Sequence, residues 1–154
     1  MSKISDIYDQ IRTVVPGLFT GADAKIEIPN PYSLPDNNKN FLSNGWGLAV
    51  GDGSPSSVGF LKCDNESRNF IIVLTKELIR LDQCPDPMAV CTKALLEDYR
   101  TIKDRFVDFD QLGLDEKILK INFTNGSGID FVTAGKFNFL TVSATYAIEY
   151  EETI

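Results

Sequence analysis

The residues of this chain whose types could support chemistry are three cysteines, several adjacent carboxylate pairs and one glycine-rich segment. Cys63, Cys84 and Cys91 lack the C-x-x-C spacing of metal and redox sites, and the chain contains no histidine that would activate a thiol. The missing histidines also remove the commonest metal ligand and the usual general base near neutral pH. We therefore predict reduced, mostly buried cysteines and no metal site.

The carboxylates and glycines do not form a recognisable catalytic motif either. Adjacent acids such as Glu97-Asp98 point in different directions from a helix or strand, so they do not make an acid/base pair by themselves. Asp108 and Asp110 resemble the start of a calcium loop, but Leu119 stands where the bidentate glutamate belongs. The glycines from Gly45 onward fit neither a phosphate loop nor a dinucleotide fingerprint. The sequence predicts no catalytic residue and no cofactor, so we expect that the protein is not an enzyme.

The charge and hydropathy patterns exclude further function classes. Twenty-two acidic and fifteen basic residues give a net charge of −7, which argues against a surface that neutralises phosphates. The acid excess lies mainly in the second half of the chain. The N-terminus lacks the apolar block of a secretion signal, and no stretch is long enough to span a bilayer. We expect synthesis in the cytoplasm, no membrane contact and no specific nucleic-acid binding.

These residues must be positioned by two helices and a set of strands. Apolar residues from Ile4 to Val15 recur at helical spacing before Pro16-Gly17, and Asp86-Pro87 begins a longer helix predicted to reach Val107. The segment IPNPYSLPDNN has three prolines and predicts a stiff, extended loop. The glycines of Gly51-Asp52-Gly53-Ser54 predict a hairpin turn, and the run FIIVL predicts a strand covered on both faces.

The last third of the chain has the alternating pattern of β-strands. Residues 118–123 and 129–133 predict two strands around a turn at Asn125-Gly126-Ser127-Gly128, and residues 137–150 predict one unusually long strand. Such a strand leaves a long open edge unless another element or another chain covers it, which favours self-assembly. We predict a single α+β domain over residues 1–154. Its mixed, mostly antiparallel sheet packs against an N-terminal helix and one longer central helix.

Several of these segments together resemble the tail terminator proteins of long-tailed bacteriophages. The resemblance rests on the N-terminal helix ending near Pro16-Gly17, the loop IPNPYSLPDNN, the stretch FLSNGWGLAVGDGSPSS and the closing FNFLTVSATYAIEYEE. These segments cover somewhat under half of the chain, and none of them is a catalytic motif.

The resemblance implies a structural virion protein at the head-proximal end of a phage tail. Members of this family form a ring, expected here to be a homohexamer, that caps the tail tube, stops its polymerisation and joins it to the head-side connector protein. The partners implied are therefore other copies of the chain, the tail tube protein and the connector. The assembly contacts that we predict on this chain are Asn30, Pro31, Tyr32 and Asn37 in the proline-containing loop, and Trp46, Asp52 and Gly53 in the hairpin.

A monomeric binding module is the alternative interpretation. It would bind a small ligand or a protein in a pocket under the hairpin, formed by Trp46, Phe60 and aromatic residues of the strands. Trp46 lies between two glycines, a setting typical of a core or interface anchor with close backbone approach.

Overall fold

The structure is a computed structural model that describes residues 3–19, 21, 24–55, 63–78, 86–105 and 118–153. Three helices and six strands are found in these residues. They follow one another along the chain as α1 (Lys3–Gly17), β1 (Ile26–Glu27), α2 (Lys39–Leu42), β2 (Asn44–Pro55), β3 (Cys63–Glu77), α3 (Pro87–Arg105), β4 (Ile118–Gly126), β5 (Asp130–Ala134) and β6 (Phe137–Thr153).

The strands form one mixed sheet, and the two long helices lie on one of its faces. The strand order is β1-β2-β3-β6-β4, and β5 also pairs with β6. Among the strands that the structure describes, β1 alone runs parallel to its neighbour, β2, while the other pairs are antiparallel. The predicted α+β class, with a mostly antiparallel sheet against an N-terminal and a longer central helix, is confirmed.

Both long helices form where apolar spacing and end signals predicted them. Ile7, Ile11 and Val15 recur every four residues on α1, and all three side chains are completely buried. The side chain of Asp86 accepts a hydrogen bond from the backbone N of Ala89 at 3.2 Å, which caps the start of α3. The structure describes α3 as far as Arg105, so the predicted end at Val107 lies outside the described residues.

The predicted turn at Gly51-Asp52-Gly53-Ser54 is wrong. In the structure β2 runs through these residues to Pro55 and pairs with β3 on both sides of a register shift between Val50 and Gly53. Positive φ occurs in the described residues only at Gly21 and Gly135. The two glycines of the bulge are therefore not required for a left-handed backbone, and a Cβ at Gly53 would make the ends of the Glu66 and Arg68 side chains shift.

The long final strand was expected to leave an open edge unless another element or another chain covered it, and other strands of the same chain cover both of its edges. One edge of β6 pairs with β3 from Phe139 to Thr153. Its other edge pairs with β5 from Phe137 to Thr141 and then with β4 from Ala144 to Tyr150. The predicted turn at 125–128 is a short link, residues 127–129, between two strands that follow the same edge of β6. On this side of the sheet β4 and β5 are the outermost described strands, so the open edges are their outer edges.

The two faces of the sheet are covered to different extents. The main core lies between α1, α3 and the sheet, with Trp46, Phe70, Leu95 and Tyr146 among its members. On the opposite face a smaller cluster joins Ile28, Leu42, Ala134 and Phe139 under α2 and the neighbouring loop. Ile71 of β3, on this second face, remains only partly buried. One stretch of the second face is therefore open among the described residues.

Candidate assembly surface

Residues 28–38, called the proline loop below, begin where β1 ends and brace the second face of the sheet. The backbone N of Ile28 donates to the carbonyl O of Trp46 at 2.7 Å, which extends the β1–β2 pairing by one bond. Pro29, Pro31 and Pro35 then fix the backbone and cannot donate further ladder bonds. A 3-10 turn at Leu34–Asp36 packs against β5. The loop therefore spans from the β2 side of the sheet to the β5 side.

Asn30 and Asn37 hold this loop in shape. The side-chain oxygen of Asn30 accepts a hydrogen bond from the backbone N of Tyr32 at 3.1 Å. The side-chain N of Asn37 donates to the carbonyl O of Asn30 at 2.8 Å and to that of Ser33 at 3.2 Å. Asn37 is buried, so its side chain supports the loop from within instead of standing at the surface as predicted. Both asparagines thus bond to backbone groups of the loop, Asn30 as an acceptor and Asn37 as a donor.

Pro31 and Tyr32 attach the loop to β2. The phenol oxygen of Tyr32 accepts a hydrogen bond from the backbone N of Val50 at 2.9 Å, while 67% of the residue stays exposed. Pro31 packs on Gly47, where an added Cβ would lie 2.8 Å from the proline Cβ. Only glycine at position 47 allows this approach. Tyr32 thus presents a large exposed ring from an anchored backbone.

A groove of about 430 Å³ lies between the proline loop and β5, on the open part of the sheet face. Pro31, Tyr32 and Leu34 contribute to one side of it, and Asp130 and Val132 to the other. Its floor consists of aliphatic and hydroxyl side chains from β3 and β6, namely Ile71, Val73, Thr141 and Ser143. Such a surface suits the side chains of a docking protein segment better than it suits bond-making chemistry.

Trp46 lies in the main core and not at this surface. It is 1% exposed, pairs with Leu74 in the sheet and faces the helices. Its side chain therefore does not reach a partner or a surface pocket in this structure, which corrects its place among the predicted contacts. The alternative pocket under the hairpin loses Trp46 for the same reason, and Phe60 lies outside the described residues.

Asp52 and Gly53 are exposed at the bulge of β2, and neither lines the groove. The guanidinium of Arg68 crosses over Gly53, bonded to Glu66 at 2.7 Å and to the carbonyl O of Gly51 at 3.0 Å. A Cβ at position 53 would collide with both side chains. Of the seven predicted contacts, the structure brings together Pro31 and Tyr32 at the groove, with Asn30 and Asn37 as their supports.

The glutamate and arginine beside this bulge also act on a buried phenol. Burial, and next the hydrogen bond with Glu66, raise the pKa of Tyr150 to about 12. Tyr146, deeper in the core, has its pKa raised as well, again mainly by burial. These shifts belong to core packing, because neither phenol faces the groove.

A charged cluster between the end of α1 and α3 was not predicted. The ammonium of Lys25 lies 2.8 Å from Asp98 Oδ2 and donates to Asn44 Oδ1 at 2.7 Å, and its side chain is completely buried. Lys76 approaches the same Asp98 oxygen at 3.5 Å. In the sequence Lys25 alternates with Ala24 and Ile26, which is typical of an exposed strand position. No sequence signal joins it to a helix more than seventy residues away.

Cys91 lies next to this cluster as a free, buried thiol. Its Sγ is 3.7 Å from the carbonyl O of Lys76 and 3.6 Å from that of Glu77. Burial raises the pKa of this thiol, against the opposing effect of Lys76 and Lys25. The prediction of a buried, reduced cysteine is confirmed at this position. The side chains of Cys63 and Cys84 lie outside the described residues.

Compared with known proteins, the chain matches no family model and no curated protein. Over the described residues, no three His, Cys, Asp or Glu side chains are grouped so that they could hold a metal ion. No helix in the same part of the chain is both long and apolar enough to cross a membrane.

Proposed function

We propose that this protein is a structural assembly protein that works as phage tail terminators do. Copies of the chain form a ring, a hexamer by that resemblance, which caps the tail tube, stops its polymerisation and joins it to the head-side connector. The protein then resides in the virion, at the head-proximal end of the tail, and its work needs no catalytic site.

The observation that carries the proposal is the braced proline loop beside an open sheet face. Tyr32 exposes two thirds of its surface although its hydroxyl is fixed to Val50 and its backbone to Asn30. A side chain held in this way loses little conformational entropy on docking, so more of the contact energy appears as affinity. Exposed tyrosines with an anchored body are also typical of interface centres.

The shape of the groove agrees with a docking role. Its floor of Ile71, Val73, Thr141 and Ser143 offers aliphatic surface together with hydroxyl groups. Side chains of a neighbouring subunit or of the tube would gain contact area there without leaving a buried charge unpaired, apart from Asp130 at the rim. Head-to-tail docking of one copy on the next creates a ring when the rotation closes.

The proposal is tested by adding purified protein to polymerising tail tubes and viewing them by electron microscopy. We expect rings at one end of tubes of limited length. Tyr32→Ala, which removes the exposed ring, should abolish capping, whereas Tyr32→Phe keeps the ring but loses the anchoring bond from Val50 N and should weaken capping only in part.

Leu96→Ala is the matched control, because Leu96 is 46% exposed on α3, on the opposite side of the sheet. Circular dichroism of each variant verifies folding. Tubes that keep elongating with the wild-type protein would refute the proposal. Equal loss of capping in the Tyr32 and Leu96 variants would show that the proline loop is not the contact responsible for capping. A wild-type chain that stays monomeric even with tubes present would instead favour the monomeric binding module.

A further inference from the structure

The strand β5 is an exposed sheet edge without the usual protection against pairing. Asp130–Ala134 pairs with β6 in an unbroken register and contains no proline and one charged residue. The neighbouring edge strand β4 is different, because register shifts between Ile118 and Lys120 and between Phe123 and Asn125 interrupt it. Bulges of this kind normally prevent edge-to-edge association. Of the two described strands that pair with this edge of β6, β5 alone offers a regular outer edge.

The hydrogen bonds of β6 show which backbone groups of β5 point outward. Ser127 N donates to Ser143 O at 2.9 Å, so odd-numbered residues of β6 direct their backbone groups toward β4 and β5. Residues 130, 132 and 134 face residues 141, 139 and 137 in this register and therefore bond inward. The N–H and C=O groups of Phe131 and Thr133 are left pointing away from the sheet. No strand of the described chain pairs with them.

We infer that this edge binds the same edge of a second copy of the chain, as two antiparallel β5 strands related by a two-fold axis. Phe131 then lies opposite Thr133 of the second copy, so the outward groups of both strands form hydrogen bonds. Val132 lies opposite Val132 of the second copy as a non-hydrogen-bonded pair. The two six-stranded sheets become one continuous sheet.

Charge complementarity favours a second copy of the chain as the partner that binds the β5 edge. This register places Ala134 of the second copy opposite Asp130, and Lys136 follows two residues later, in the turn after β5. Both charged residues are exposed, and diagonal neighbours in a sheet lie within reach of long side chains. The two-fold axis repeats this Asp–Lys contact. The contact is therefore electrostatically favourable although the whole chain carries a net charge of −7.

The aromatic ring of Phe131, which is largely exposed in the single chain, becomes covered in this arrangement. Phe131 is 55% exposed and shares a sheet face with Leu140, its partner on β6. The two Phe131 rings become diagonal neighbours across the axis, roughly 7–8 Å apart at the backbone. They cover each other and remove apolar surface from water. A two-fold contact of this kind is distinct from head-to-tail docking in a ring, so the inference does not rest on the proposed function.

Sedimentation equilibrium on the full chain tests the pairing. We expect the wild-type chain to associate in twos, and Phe131→Lys to weaken the dimerisation constant by about tenfold or more. Leu96→Lys, an equally drastic change at an exposed residue of α3, should leave the constant unchanged. Asp130→Lys should weaken association, and adding Lys136→Asp to it should restore association. A wild-type monomer at high concentration, equal effects of the two lysine substitutions, or no restoration by the charge swap would overturn the inference.

Disulfide cross-linking checks the register independently of affinity. Val132→Cys should form a covalent dimer under mild oxidation, because non-hydrogen-bonded pairs place their Cα atoms about 4.5 Å apart, within disulfide reach. Thr133→Cys is the control, since the two positions would be diagonal and more than about 7 Å apart. Wild-type protein gives the background of the native cysteines. Equal cross-linking of both variants, or none in either, contradicts the register.

Discussion

Removing the ammonium of Lys25 tests whether the buried ion pair joins the N-terminal part of the chain to α3. Lys25 is completely buried and lies 2.8 Å from Asp98, so Lys25→Met leaves a mostly buried carboxylate without its nearest cation. The substitution preserves most of the side-chain length, and the expected loss of stability therefore arises from charge and hydrogen bonding more than from packing.

The expected loss in the free energy of unfolding depends on the charged groups and solvent contact that Asp98 keeps after the substitution. Breaking a buried pair by removing one partner costs about 3–5 kcal/mol. Lys76 remains 3.5 Å from the same carboxylate oxygen and Asp98 keeps slight contact with water, so we expect the lower end, about 3 kcal/mol. Asp98→Leu should cost a similar amount, because it leaves the ammonium of Lys25 buried. The double variant should cost at least about 2 kcal/mol less than the sum of the single variants.

Urea unfolding followed by fluorescence measures these free energies. Trp46 is the only tryptophan and is 1% exposed, so its emission reports loss of the core. The matched control is the exposed pair Arg100–Asp104, whose atoms are 3.3 Å apart on one helix surface and whose coupling should be about 0.3–0.5 kcal/mol. A coupling between Lys25 and Asp98 no larger than that of the control pair would refute the reasoning.

Two further predictions concern the proline loop and the buried phenol. Gly47→Ala should destabilise the fold by about 1–3 kcal/mol in urea, because its Cβ would push Pro31 off β2. The control Gly17→Ala meets nothing within 4 Å at the end of α1 and should be neutral or slightly stabilising; equal effects at both sites would contradict this account. The raised pKa of Tyr150 favours the protonated phenol in the folded state, so its stabilising effect is complete below about pH 10 and is lost as the pH rises toward 12. Burial raises the pKa of both Tyr150 and Tyr146, so phenolate absorbance should show late-ionising groups in the wild-type chain, and Tyr150→Phe should remove one of them while Tyr146 remains. A wild-type titration without any late-ionising group would argue against the burial effect.

The helices were predictable because their signals are local. Every fourth residue of α1 from Ile7 to Val15 is apolar, and burial of that stripe follows from the geometry of a helix. Asp86-Pro87 similarly begins α3 through a hydrogen bond to a residue three positions away. Such features depend only on residues close together in the chain.

The predicted turn at Gly51–Ser54 and the edges of β6 show where local signals become ambiguous. A glycine serves either a positive φ or a close approach, and the side chains that approach Gly53 belong to Glu66 and Arg68 on another strand. The alternation of β6 defines its two faces but contains nothing about its edges. Whether an edge is open depends on β4 and β5, which the pattern of β6 does not describe.

The features of the candidate site likewise fall into those that the sequence predicts and those that depend on tertiary contacts. The sequence by itself determined the α+β class, the stiff loop with Pro31 and Tyr32, and the absence of histidine chemistry, because these depend on residue types and short-range spacing. Only the tertiary structure decided that Trp46 is a core residue, that Lys25 pairs with Asp98, and that β5 is the regular open edge. Each of these depends on contacts between distant segments, which are fixed only when the sheet and helices pack together.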